Sequence, residues 1–416
     1  MPHLLVFNRS YYPDLGATGQ LLTELCEDLV AHYGWQVTVV AGLPTVTVNG
    51  ANGSGNGTGR STGWGLVRRE TVRGVVVLRA AGTRLTKARF VGRAANYVSY
   101  FASAVLAGGW ACRPDVVMSL TDPPILGLAA LAWARRWRVP FVFLCQDIFP
   151  EVAVLLEDFQ SPTVNRLLQC INRLLIRNAD KVVVLGETMG ERLIIGKDAD
   201  PGRLRVIHNW ADCSAITPGE KRNPWSVATG LADRFVVMHS GNMGLSQNVD
   251  ILLEVADRLR NDTDIMMAMV GDGAQRGALE AKAQSQELAN VRFLPYQPKE
   301  RLTESFAAAD VFIISLKERL AGYIVPSKLY GILAAGRPYV AAVEEACEVA
   351  AITRKYECGL LAKPGDPDDL ADKILTLYHD RDLASGLGAN ARRAALEFDR
   401  PIQVRAYYDL FRELRG

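Results

Sequence analysis

The stretch RFVVMHSGNMGLSQNVDILLEVADRLR at 234–260 passes from a strand (234–241) through a glycine-bearing loop to a helix (248–260). Its apolar run lacks the polar alternation of a half-solvated strand, so it reads as buried on both faces. The same succession opens the chain. HLLVFN (3–8) is a strand, Asn8–Gly19 a loop, and Thr18–His32 a helix with Leu21, Leu22, Leu25, Leu29 and Val30 on its apolar side. Between them come strands 36–42, 74–80, 115–120, 140–147, 181–186 and 204–209, and helices 94–109, 125–136, 163–178 and 188–195. After 260 the alternation continues with strands 265–271, 291–296, 311–316 and 338–343 and helices 274–287, 299–308 and 327–335. Repeated strand–helix units build a doubly wound, mostly parallel sheet. At 213–232 the periodicity lapses into a polar Pro/Gly-containing stretch, the linker candidate. The expectation is an α/β protein of two Rossmann-like domains, 1–215 and 216–396, facing across a cleft lined by the carboxyl ends of both sheets.

Composition narrows the function. The chain has 416 residues, 47 Lys+Arg against 45 Asp+Glu, and a net charge of +2. That excludes wholesale disorder and argues against a nucleic-acid binder. The charge is segregated, however. Residues 60–113 hold Arg60, Arg68, Arg69, Arg73, Arg79, Arg84, Lys87, Arg89, Arg93 and Arg113 against Glu70 alone, a +9 segment in a −7 remainder. The seven cysteines are dispersed without a CxxC pair, which fits a reducing cytoplasm and no zinc site. The N-terminus reads as a strand and not a signal peptide. Residues 97–112 are uncharged but too short to span a bilayer and contain Gly108-Gly109, so a core helix is expected, with an interfacial segment behind Arg84, Lys87, Arg89 and Arg93 as the alternative. Residues 49–65 are glycine-rich and read as a flexible surface insertion or a lid over an acceptor.

Four segments can carry chemistry. In Asn8–Gly19, Gly16 and Gly19 permit close backbone approach and Thr18 is a candidate helix cap; an ordinary turn explains the loop equally well. In CQDIFPE (145–151), Asp147 follows a buried strand and is a candidate base or hydrogen-bond acceptor, with a structural cap as the alternative. Gly241, Asn242 and Gly244, then Gly271, Asp272 and Gly273, can present backbone N–H groups to a diphosphate, although Gly-Asp-Gly is often only a turn. In PSKLYGILAAGRP (326–338), Ser327 and Lys328 open a short helix where a diphosphate leaving group could be stabilised. No metal-ligand spacing, Walker loop or Gly-x-Ser-x-Gly elbow occurs. The five histidines are dispersed, and His208 and His239 read as strand-end residues.

With QDIFPE, VIHNWAD (206–212), SGNMG, VGDGAQ (270–275), FLPYQPKERLTESFAAADVFIISL (293–316), PSKLYGILAAGRP and CGLLAKPGDPDDLADKI (358–374) in this order, the chain resembles retaining GT-B glycosyltransferases of family 4. The branch it is most similar to is the bacterial fucosamine- and colanic-acid-transferase group, which builds O-antigen and exopolysaccharide. The resemblance implies a nucleotide-sugar donor, with uridine as the base, held by the second domain without metal or other cofactor. Gly241, Asn242 and Gly244 would approach the diphosphate and sugar, Lys328 with Ser327 would stabilise the departing diphosphate, and Gly271–Gly273 would lie near the base. Gly16 and Gly19 would approach the donor from the first domain, where Asp147 would face a lipid-linked saccharide acceptor. The helix at 397–416 would return to the first domain. The basic 60–113 segment would dock on an anionic membrane surface at the cytoplasmic face, its alternative being a solvated face.

Two departures from the family pattern stand out. Tyr323 and Gly331 occupy the positions of its Glu-x7-Glu pair, which leaves Glu318, Glu344 or Glu345 to hold a ribose. Asn242 and Gln247 stand near the places of an Arg and a Lys. In the family's front-face reaction the donor phosphate helps deprotonate the acceptor, so Lys328 outranks Asp147 as the catalytic candidate. The rival readings are a sugar-nucleotide epimerase and a non-catalytic glycosyltransferase-like subunit.

Overall fold

The computed structural model describes residues 1–14, 16–44, 65–83, 85, 90–156 and 161–416, with only the backbone described at Phe90, Val91 and Arg93. The glycine-rich insertion lies outside the described residues except for Gly65. So do Arg60, Arg84, Lys87 and Arg89 of the basic segment. The chain forms two compact units, Met1–His208 with Val404–Gly416, and Asn209–Gln403.

Eight strands build the first sheet: β1 His3–Phe7, β2 Gln36–Gly42, β3 Val67–Val72, β4 Val75–Ala80, β5 Val116–Ser119, β6 Phe141–Cys145, β7 Lys181–Val184 and β8 Leu204–Val206. Their order is β3-β4-β2-β1-β5-β6-β7-β8, with every pair parallel except β3–β4. The second sheet holds β9 Phe235–Ser240, β10 Ile265–Val270, β11 Val291–Leu294, β12 Val311–Ser315, β13 Tyr339–Ala342 and β14 Gly359–Ala362. It is wholly parallel, in the order β11-β10-β9-β12-β13-β14. The unbroken apolar runs follow from this: β1, β6, β10 and β12 are buried at every position because helices cover both faces. In the second unit Val237, Met267, Val311 and Val340 pack with Leu252, Val255, Ile374 and Leu377.

Each sheet reverses its winding once, between β1 and β5 in the first and between β9 and β12 in the second. Loops leaving those strands diverge to opposite faces and open a crevice at their carboxyl ends.

Two readings change, and a third holds. Strand β3 was not expected; only Val67 of its VRRETV is fully buried, because it is an edge strand. It joins β4 through Arg73 and Gly74, whose φ values of 48° and 84° make a tight two-residue turn. The linker candidate is folded into the second unit. There the helix Pro224–Ala228 is closed by a capping box between Asn223 and Ser226, and buried Trp225 donates its indole N–H to Gln297 Oε1 at 3.0 Å. Segment 97–112 lies in and just beyond the helix Phe90–Gly108, which packs on Gly127–Trp137. Trp133 donates to the Val105 carbonyl at 2.9 Å, and a Cβ on Gly108 would sit 2.3 Å from that indole nitrogen. Among the described residues no helix is long and apolar enough to cross a membrane. The closing helix Arg400–Arg415 packs in the first unit from Val404 onward, with Tyr408 stacked on Tyr33 at 4.4 Å and Phe411 against Trp35.

Candidate functional site

In the second unit the crevice at the reversal point joins the loop after β9, the loop after β10 and the start of the helix Lys328–Ala334. Backbone hydrogen bonds lock the two glycine loops together. Gly241 N–H donates to the Val270 carbonyl (2.9 Å), Met243 N–H to Asp272 (2.8 Å) and Gln275 N–H to Met243 (3.1 Å). This contact, and not a ligand, requires the glycines of the second loop. At Gly271 φ is +140° and a Cβ would fall 1.9 Å from the Gly241 carbonyl oxygen; at Gly273 it would fall 2.6 Å from Met243 O. The Asp272 carboxylate accepts its own turn's Gly273 N–H at 2.8 Å, the bonding of a simple turn. Gly244 approaches Asn242, whose Nδ2 would be 2.8 Å from an added Cβ.

Lys328 is half-buried beside Gly241. Its Nζ lies 3.4 Å from Nε2 and 3.5 Å from Nδ1 of His239, on β9. Among the described residues no carboxylate pairs with this ammonium, and its removal from water pulls its pKa down to about 7. His239 is 1 % exposed; burial and the lysine charge push its pKa well down, so the ring is neutral. Ser327 precedes the helix without a side-chain capping bond. Of the candidate replacements for the missing glutamates, Glu344 accepts Arg319 N–H (2.9 Å) and Ala321 N–H (3.3 Å), Glu345 pairs with Arg354, and exposed Glu318 lies over Gly365.

The first unit's reversal point brings together a different set. Arg9, just past β1, meets Asp122, just past β5, with Nη2–Oδ1 at 3.1 Å and Nε donating to Oδ1 at 3.2 Å. Ser10 Oγ donates to Asp122 Oδ2 at 3.0 Å, and the Arg9 guanidinium rests over the Tyr97 ring. Asp147, past β6, has its pKa raised to about 6, mainly by burial and secondarily by the Asp122 charge. Its segment is tied down by Lys197, 1 % exposed, whose Nζ donates to both Glu151 oxygens at 2.8 Å and to the Phe149 carbonyl at 3.0 Å. Thr18 does not cap the first helix, Ala17–Tyr33; Gly16 is its N-cap, and no side-chain cap bond forms. Neither Gly16 nor Gly19 is demanded by packing. A Cβ at Gly16 meets nothing within 4 Å, and one at Gly19 meets Asp14 at an ordinary 3.4 Å.

Residue reasoning missed Arg9, Ser10, Asp122 and any role for His239. The available signal was a polar residue at the carboxyl end of each apolar strand run. The basic segment is also less free than its count. Arg79 is buried on Glu70 (2.7 Å) and donates to the Gly42 and Tyr12 carbonyls, and Arg73 pairs with Glu27. Arg68, Arg69 and Arg113 are exposed. All seven cysteines are unpaired, and no three His, Cys, Asp or Glu converge among the described residues.

Residues 16–210 match the glycosyl transferase 4-like domain, and residues 222–394 match glycosyl transferases group 1. The chain is 29% identical over 305 residues to the probable glycosyltransferase WbjE of Pseudomonas aeruginosa, covering 73% of this chain and 76% of that protein. It is 25% identical over 366 residues to the putative colanic acid biosynthesis glycosyl transferase WcaI of Escherichia coli K12, covering 85% and 86%. Among solved structures it matches Anabaena HepE in complex with UDP-glucose at a TM-score of 0.74 and 17% identity, over 100% of both chains. WaaG, a glycosyltransferase involved in lipopolysaccharide biosynthesis, matches at 0.73 and 15% identity, over 98% of this chain and 99% of that one. These likenesses identify the fold as GT-B.

Proposed function

Because the chain belongs to the group 1 glycosyl transferases, with a 4-like domain in its first half, we propose that it moves a sugar from a nucleotide diphosphate to a lipid-linked saccharide, with retention, in surface-polysaccharide assembly. The observation that carries this is Lys328: a half-buried ammonium with no carboxylate partner among the described residues, beside a glycine loop. An uncompensated buried cation is costly by itself and favourable once an anion arrives. Lys328, Ser327 and the loop at Gly241, Asn242 and Gly244 hold the diphosphate, and Gly271, Asp272 and Gly273 buttress that loop near the base. As the bond from the anomeric carbon to the diphosphate oxygen breaks, Lys328 stabilises the charge left on that oxygen. The acceptor oxygen bonds to the same carbon and gives its proton to a phosphate oxygen, so no strong protein base is needed. Asp147, beside the Arg9–Asp122 pair, orients an acceptor hydroxyl, and exposed Gly16 leaves backbone open to substrate, with buried Gly19 behind it in the first turn of the helix. Glu318 takes the ribose. UDP as the donor nucleotide is favoured by the UDP complexes of the HepE structures. No metal is required in this reading.

Mass spectrometry of a nucleotide-sugar panel with a lipid-diphosphate saccharide acceptor tests the proposal. A glycosylated acceptor is expected, and Lys328→Ala slows its formation by about a hundredfold or more. UDP binding without turnover on any acceptor would instead support a non-catalytic subunit. Work at the cytoplasmic membrane face is proposed through Arg68, Arg69 and Arg113 of the basic segment. It predicts salt-sensitive co-sedimentation with anionic vesicles that the triple Ala variant loses.

A further inference from the structure

The function proposed above leaves His239 unused, yet it is the sole polar side chain of β9 before Ser240 and is fully enclosed. A buried imidazole without a hydrogen-bond partner is unfavourable, so its two nitrogens report what the site asks of it. One contact is a hydrogen bond with the Asn242 backbone, in the glycine loop. The other is Lys328 Nζ, 3.4 and 3.5 Å from the two ring nitrogens. Lys328 therefore has one recorded side-chain partner among the described residues, and that partner is an acceptor without negative charge. A carboxylate in the same place would hold the ammonium more tightly but would neutralise it, removing the charge an incoming diphosphate needs. A neutral imidazole, whose two nitrogens stand almost equally far from Nζ, holds the lysine against its ring and leaves its charge intact.

We propose that His239 is a positioning residue for the diphosphate-binding lysine: its neutral ring, anchored to the Asn242 backbone, holds Lys328 Nζ beside the glycine loop. A long four-carbon stem otherwise samples many rotamers, and holding one of them before substrate arrives is preorganisation. One side chain thereby couples the loop at 241–244 to the first residue of the helix Lys328–Ala334. The residues facing the pair are Lys328 itself and the Asn242 backbone, with no acidic side chain recorded against either group among the described residues.

This inference rests on the donor-site reading, and a double-mutant cycle separates the two. His239→Phe keeps an aromatic ring and removes both nitrogens; His239→Gln restores an acceptor. UDP affinity and kcat/KM are measured for both variants, for Lys328→Ala and for the His239→Phe/Lys328→Ala pair, with melting curves to establish folding. His239→Phe is expected to weaken UDP binding and kcat/KM by about tenfold to a hundredfold. His239→Gln recovers most of that loss, and His239→Phe has no further effect once Lys328 is gone. Wild-type UDP affinity in a folded His239→Phe protein overturns the inference. So does the same loss with and without Lys328, which marks a merely structural ring. Should His239→Phe not fold, His239→Gln carries the test against His239→Ala in the same cycle. If Lys328→Ala binds UDP like the wild type, the donor-site reading itself fails, an outcome distinct from loss in Lys328→Ala but not in His239→Phe.

Discussion

Lys328 gives the sharpest prediction, because its burial couples diphosphate affinity to pH. In the free protein its pKa lies at about 7, against 10.5 for a solvated lysine. A bound diphosphate restores the ammonium and raises that value. Between the free and bound values, binding takes up a proton, so UDP affinity falls as pH rises. Each pH unit above 7 is worth about 1.4 kcal/mol, or tenfold in Kd. The β-phosphate of UDP ionises near ~6 and stays dianionic through this window, so it does not mask the effect. Calorimetric titration with UDP from pH 7.5 to 9 is expected to show Kd rising roughly thirtyfold over those 1.5 units. Repeating the titration in buffers of different ionisation enthalpy reports uptake of close to one proton per UDP. The same shift has a stability consequence of opposite sign. The unfolded chain binds the extra proton between pH 7 and 10.5, so the folded state gains stability as pH rises through that window, and the buried ammonium opposes folding below it. With residual solvent contact discounted, its removal in Lys328→Met stabilises by roughly 1–3 kcal/mol at pH 6.5. That raises Tm by about 3–10 °C for a unit of this size while UDP binding is weakened. A Kd that stays flat from pH 7.5 to 9, or a Lys328→Met protein that melts below wild type at pH 6.5, would refute the reasoning.

The two glycine loops should respond oppositely to alanine. Gly271→Ala forces a Cβ to 1.9 Å from a carbonyl oxygen at φ +140° and is expected to destabilise by ~3 kcal/mol or more in urea melts. Gly16→Ala meets open space at φ −66° and leaves stability unchanged or raises it by up to ~1 kcal/mol, while transfer kinetics report whether substrate uses that space. In the first unit, Lys197→Met leaves the Glu151 carboxylate half-buried without its ammonium and lowers stability by ~2–4 kcal/mol, and adding Glu151→Leu recovers part of that loss in the same melt. Asp147 titrates at about 6, above its ordinary 3.8, so its ionisation opposes folding as pH rises through 4–6. Asp147→Asn is therefore expected to melt higher than wild type at pH 7.5 and to raise the KM for acceptor, and a lower melting point would show that the carboxylate is stabilised there after all.

What the sequence determined by itself was the list of elements and their burial. Runs such as HLLVFN and VFIISL can only be strands covered on both faces, and two such series separated by a polar stretch make two doubly wound units. It missed β3, whose arginines and glutamate at a sheet edge carry no apolar periodicity, and it took the stretch around Trp225 for a linker because a five-residue capped helix is too short to show a period. The glycines at 241 and 271 were legible as special, but not why. A +140° φ at Gly271 is set by the Gly241 carbonyl from another loop, a contact made across strands. The same holds for the charged groups. Arg9 and Asp122 lie 113 residues apart in the chain, and Lys328 and His239 lie 89 apart. Local periodicity reports how deeply each element is buried and nothing about which strands are neighbours. Only the pairing of β1 with β5 in the first unit, and of β9 with β12 in the second, brings each pair of ends together in its own unit, and in the second unit the lysine's burial and its neutral partner are decided there.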